Sequence, residues 1–219
     1  MTAAEIADVC KNTRRECRDW LAHEYQAAVR QTTPADMQQL IDCGVPARAI
    51  ALARPARVTI SVGGRNGQYY QLAEDGKVAW IVPVTTVEHS DAYMVECVDP
   101  EKIICAGRCV DLVAFSPWAP GRWALRRGLA TVIGAIPPQY MDPPPVRVHR
   151  DVMGWLRAEC CGLVLVTDHA YEANRVLQQI STIEAEDAAH AAELEKLLEE
   201  AARPALPRIT TRATRGGAA

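Results

Sequence analysis

Glu184, Glu186 and Asp187 stand where a short strand is expected to give way to a helix, and Asp168 and His169 stand at the end of a buried strand upstream. The three clustered acids, Glu184, Glu186 and Asp187, are oxygen ligands for a hard cation such as magnesium. They also suit the start of the following helix, where acids complement the dipole. A second constellation is basic and aromatic. Trp118, Arg122, Trp123, Arg126 and Arg127 lie in one short segment, followed by Tyr140, Arg147, His149 and Arg150. Nucleic acid is held in this way, by Arg on phosphate and aromatic rings on base faces. The same residue types are enriched in protein interfaces, so DNA or RNA and a protein partner are both candidates. Cys97, Cys105 and Cys109, with His89 upstream, make a poor zinc set because no C-x-x-C pair is present. The eight cysteines are expected to be reduced thiols that pack as small hydrophobes.

The elements that must position these residues fall into five stretches. Residues 1–56 read as helical. Apolar residues recur at helical spacing over 3–31, Thr33-Pro34-Ala35-Asp36 is a helix start, and a second short helix runs from Pro46 to Ala53. The short helix is mostly Ala, Ile and Leu with Arg48 as its single cation, so a plain helical hairpin fits better than a DNA-reading one. Residues 57–135 switch to strand periodicity. Strands are expected at Arg57–Val62, Gln68–Leu72, Lys77–Thr85, Tyr93–Val98, Ile103–Cys105 and Val110–Phe115, with hairpin turns at Gly63–Gly67 and Glu74–Gly76, as in an antiparallel meander. A short helix ending at Arg127 and a strand near Ala130–Ile133 follow. Residues 136–150 are a proline-rich extended connection. Residues 151–202 alternate helix, strand, helix, strand and acidic helix, a βαβ crossover that implies parallel strands with functional groups beyond their carboxyl ends. Residues 203–219 form a basic tail expected to be disordered.

The predicted fold class is therefore α+β: N-terminal helices, an antiparallel central sheet and a small C-terminal α/β unit. A chain of 219 residues with 49% hydrophobic content can bury a core. The net charge of −3 is unevenly spread. Cys105 to Arg157 holds seven Arg against three Asp, Ile183 to Ala202 holds seven acids against one Lys, and the tail holds four Arg and no acid. Arg outnumbers Lys twenty to four, as codon bias in a GC-rich bacterial genome would produce. No apolar run approaches the roughly 20 residues of a membrane span, and no signal-peptide pattern opens the chain, so a cytoplasmic location without membrane association is expected.

Glu184-Ala-Glu186-Asp-Ala188-Ala189-His-Ala191-Ala192 is similar to the DxDxAGxxAA stretch of Toprim domains, which occur in primases, topoisomerases and some nucleases. Gly162-Leu-Val-Leu-Val166 resembles the first strand of those domains. The resemblance covers about forty residues. It implies a catalytic Glu after the first strand and two acids after the second, together binding magnesium. Here Thr167 and Asp168 stand in place of the Glu-Gly pair, Glu184 and Glu186 in place of the two Asp, and Ala189 in place of the Gly. With its signature so altered, the unit is expected to serve as a scaffold. The functional expectation is a non-enzymatic, nucleic-acid-associated accessory protein that binds nucleic acid through Trp118, Arg122, Trp123, Arg126, Arg127, Arg147 and Arg150, the arginines on phosphates. One alternative that the resemblance implies is a magnesium-dependent Toprim-type enzyme acting on phosphodiesters, with Asp168, Glu184 and Glu186 as the metal-holding set. The other is a protein-binding or inhibitor module anchored by Trp118 and Trp123.

Overall fold

The computed structural model describes residues 20–64, 68–86, 108–134 and 144–202. The chain is α+β. Helix α1 is under way at residue 20 and ends at 31. It buries Leu21, Tyr25 and Ala28, the i, i+4, i+7 face of a helix. Helix α2 (Pro34–Asp42) opens on a capping box: Thr33 Oγ1 accepts the Asp36 N–H, and Asp36 Oδ2 accepts from the Thr33 N–H. Asp36 also pairs with Arg57 at 3.0 Å. The Thr33 hydrogen bonds, foremost, hold its carboxyl below the usual range. Helix α3 (Ala47–Ala53) ends at Arg54 in the left-handed region, where the Tyr25 hydroxyl donates to the Arg54 carbonyl at 2.6 Å. Arg48 pairs with Glu159.

Strands β1 (Ala56–Gly63), β2 (Tyr69–Leu72), β3 (Lys77–Thr86), β4 (Arg108–Phe115) and β5 (Trp123–Leu125) close a five-stranded barrel in the order β1-β2-β5-β4-β3. The expected meander is corrected here. Strands β2 and β3 do not form a hairpin with each other; both pair antiparallel with β1, which lies between them. The turn 73–76 crosses the backbone of β1 at Ile60, and a Cβ at Gly76 would collide with the Ile60 carbonyl. Only glycine permits so close an approach. Pro83 falls where β3 has run past its β1 partner, so its missing N–H breaks no ladder bond to β1. The barrel closes where β2 meets β5 in parallel, Tyr69 opposite Leu125. The short helix expected up to Arg127 is instead β5 and a turn, because Trp123, Ala124 and Leu125 pair with Phe115, Ala114 and Val113. The strands expected at Tyr93–Val98 and Ile103–Cys105, the Tyr140 segment and the basic tail lie outside the described residues.

A second, four-stranded sheet has the order β6-β8-β7-β9, from β6 (Val132–Gly134), β7 (Val146–His149), β8 (Leu163–Leu165) and β9 (Ile183–Glu184). Strand β7 is parallel to both β8 and β9, and β6 is antiparallel to β8. Sequence reading missed β7, placing its residues within the proline-rich connection 136–150. Strand β6 precedes that connection yet belongs to this sheet. Helix α4 (Val152–Arg157) joins β7 to β8, α5 (Ala170–Leu177) joins β8 to β9, and α6 (Ala188–Ala202) follows. The expected parallel crossover is present, with β7 inserted between its two strands. Glycines let the three backbones meet: a Cβ at Gly134 would strike the Gly162 carbonyl, and one at Gly162 the Arg147 carbonyl.

One core binds the two sheets. Leu40, Val45 and Ala49 from the helices, Trp80, Val82, Val113 and Phe115 from the barrel, Ile133, and Val152, Leu156, Val164 and Val166 form a single buried cluster. The opposite face of the second sheet packs Val146, Val148 and Leu163 against Leu177 and Leu194 of α5 and α6. No helix among the described residues is long and apolar enough to cross a membrane.

Candidate functional site

The strand-end acids are positioned by the parallel register of β7 and β9, which sets Val146 beside Ile183 and Arg147 beside Glu184. The same offset continues past the strand ends. Arg147 Nε donates to Glu184 at 3.1 Å, His149 Nδ1 lies 3.1 Å from Glu186 Oε1, and Arg150 donates to Asp187 at 2.5 and 2.9 Å. Each acid thus meets a base of the neighbouring strand. Glu184 raises the Arg147 pKa, and Asp187 does the same for Arg150. Asp187 is held far below the usual carboxylate range by Arg150 first, then by the His190 backbone N–H. His149 is buried, and its Nε2 lies 2.9 Å from the Cys161 carbonyl, an acceptor only, so that nitrogen carries a proton. Gly154 of α4 packs against Glu186 and His149. His190 Nδ1 accepts the Glu186 N–H, and burial pushes the His190 pKa down. The arrangement is a charge ladder that joins β7 to the start of α6.

Asp168 is elsewhere. It follows β8 and accepts a hydrogen bond from Gln68 Nε2 at the start of β2. Asp168, Glu184 and Glu186 are therefore held by three different partners, and among the described residues no three His, Cys, Asp or Glu side chains form a metal-ligand group. Cys97, Cys105 and His89 lie outside the described residues. Cys109 is buried, and burial pushes its thiol up to about 11, out of the nucleophilic range.

The basic, aromatic segment divides in two. Arg126 turns inward: its Nε donates to both Glu24 oxygens at 3.0 and 3.1 Å, and its guanidinium stacks 4.4 Å over Trp20. Arg147 and Arg150 are taken up by the ladder. Arg122 and Arg127 are exposed with no acid partner among the described residues, and Trp118 is 61% exposed. Trp123 is half-buried against the core. The turn that presents Arg127 is anchored from beneath by Asp111, a fully buried carboxylate of β4. Asp111 accepts the N–H groups of Leu112, Arg127, Leu129 and Ala130 at 2.8, 2.9, 2.6 and 3.1 Å. Sequence reading counted Asp111 only as a charge; an acid inside an otherwise apolar strand was the available signal.

Beside this turn, between barrel and second sheet, lies an open cleft of about 260 Å³. Gln68, Tyr69, Trp123 and Leu129 line it from the barrel and its turn, and Thr131, Thr167, Asp168, His169 and Glu172 from the second sheet. It opens at the carboxyl end of β8, where parallel strands place ligands. Gln68 and Tyr69 were not singled out from the sequence, because only the fold brings them opposite residues a hundred positions away. No protein-family model, no curated protein and no solved structure matches the chain. Its class is thus given by architecture alone: a closed five-stranded barrel fused through one core to a mixed α/β sheet.

Proposed function

We propose that the protein is a nucleic-acid-associated accessory protein that holds a single strand across the segment 116–129, the two turns that flank β5. The observation that carries this reading is the segregation of the cations in these turns. Arg126 is neutralised internally, while Arg122 and Arg127, at the two ends of β5, are exposed and without an acid partner among the described residues, and the Trp118 indole of the first turn is exposed as well. Guanidinium groups for phosphate and an open aromatic face for a base are what sequence-tolerant single-strand binding requires. The binding set is narrower than the sequence suggested, because Arg126, Arg147 and Arg150 each have an internal acid. The magnesium-dependent alternative would require Glu184 and Glu186 to leave Arg147 and His149 and to be joined by Asp168.

Anisotropy of a labelled ten-nucleotide thymidine strand at two salt concentrations tests the proposal. Micromolar binding that weakens with salt is expected, and R122A/R127A should lower the salt slope by about 0.7 per lost phosphate contact. Absence of binding at low salt would sink it. The exposed Leu129, beside Trp118 and the two arginines in sequence, favours a second reading, a protein interface. A stoichiometric partner that co-purifies despite nuclease treatment and is lost on W118A would favour that one.

A further inference from the structure

We propose that the cleft between barrel and second sheet is a pocket for one nucleobase with a donor-rich edge, guanine above all. The inference rests on the single-strand reading and names what that strand is selected for. The cleft, at about 260 Å³, lies below the roughly 300–1,000 Å³ that hold drug-sized ligands, a size suited to one planar base. Tyr69 and Trp123 provide aromatic walls. Tyr69 is seated in advance: it is the barrel's closing residue opposite Leu125, and its ring packs against Gly64 and Gly128, both at positive φ. A side chain at Gly128 would collide with the ring.

The polar end sets the preference. Gln68 Nε2 donates to Asp168 Oδ2, which orients the carboxylate and leaves Oδ1 without a protein donor among the described residues. Glu172, paired with Arg175 at 3.7 Å, adds a second carboxylate, and among the described residues no Lys or Arg lines the cleft itself. A ligand edge that meets Asp168 must donate, while His169 and the hydroxyls of Thr131 and Thr167 line the rest of the cleft. Guanine places N1–H and N2–H side by side, one for Oδ1 of Asp168 and one for the lone pair of Oδ2 that Gln68 does not use. Thymine and uracil flank their single N3–H with carbonyl oxygens, which a carboxylate repels. The phosphates stay outside with Arg122 and Arg127, each adjacent in sequence to a lining residue, Trp123 and Gly128.

The test compares a labelled ten-nucleotide thymidine strand with the same strand carrying one central guanosine. The unmodified protein should bind the guanosine strand about tenfold more tightly, the scale of one good bidentate base contact. Asp168→Asn should bring the two strands to equal affinity, and Gln68→Leu, which frees the carboxylate, should narrow the ratio. Equal binding by the unmodified protein, or a preference that survives Asp168→Asn, overturns the base pocket and leaves the single-strand reading standing. Failure of both strands to bind overturns both. A short arginine-containing peptide that binds instead, and is lost on Asp168→Asn, would assign the cleft to a cationic side chain and overturn the nucleobase.

Discussion

At the scale of single residues, the side chain on which the candidate surface most depends does not touch it. Asp111 has no exposure and gathers four backbone N–H groups, three of them from the turn carrying Arg127. A carboxylate can accept all four because both oxygens carry lone pairs in the plane. Asp111→Ala would leave buried donors unsatisfied, each costing about 1–3 kcal/mol, so a stability loss of at least about 3 kcal/mol is expected from the urea midpoint. Asp111→Asn, which keeps one acceptor oxygen, should lose less. A loss below about 1 kcal/mol for the alanine variant would remove Asp111 from this role. How far the sequence revealed such residues depended on the distance to their partners. Thr33, Pro34 and Asp36 were legible as a helix start because a cap is made within four residues. Arg126 was not legible as an inward residue, because its partner Glu24 lies 102 positions away.

At the scale of elements, the acidic helix α6 is fastened to β7 by a charge ladder whose register follows from strand pairing. Asp187, with its folded pKa depressed by Arg150 and the His190 N–H, contributes stability that is fully present above the ordinary carboxylate range near pH 4. That contribution is lost as pH falls from there through the folded value. The melting temperature of Asp187→Asn should therefore lie below that of the unmodified protein at pH 6, and the gap should shrink by pH 3. A constant gap would mean that the carboxylate charge contributes nothing. The alternation of helix and strand from Asp151 onward was readable, since each segment has its own periodicity and punctuation. Strand β7 was not. Val146 to His149 follows prolines, is four residues long, and becomes a strand only because β8 and β9 flank it. The crossing of β1 by the turn at Gly76 escaped for a similar reason: Glu74-Asp75-Gly76 is good turn chemistry, and nothing local tells a hairpin from a crossover.

At the scale of the whole molecule, the buried cluster that contains Trp80 and Phe115 from the barrel also contains Leu156 and Val164 from the second sheet. A core shared in this way predicts one unfolding transition. Tryptophan fluorescence and far-ultraviolet circular dichroism should give coincident urea curves, with Trp80 and Trp155 reporting from the two halves of the cluster. Two separated transitions would show that barrel and sheet are stable apart.

That β6 precedes the proline-rich connection while its partner β8 follows it bears on how the chain is born. As it leaves the ribosome N-terminus first, the barrel strands are complete once residue 125 is out, yet Trp80, Val113 and Phe115 keep an uncovered flank until α4 and β8 arrive some forty residues later. At the usual elongation rates of about 5–20 residues per second, that is a wait of roughly two to eight seconds with apolar surface bare. The nascent chain therefore passes through an interval in which it is a natural client for a chaperone, and the interval closes when β8 slides between β6 and β7.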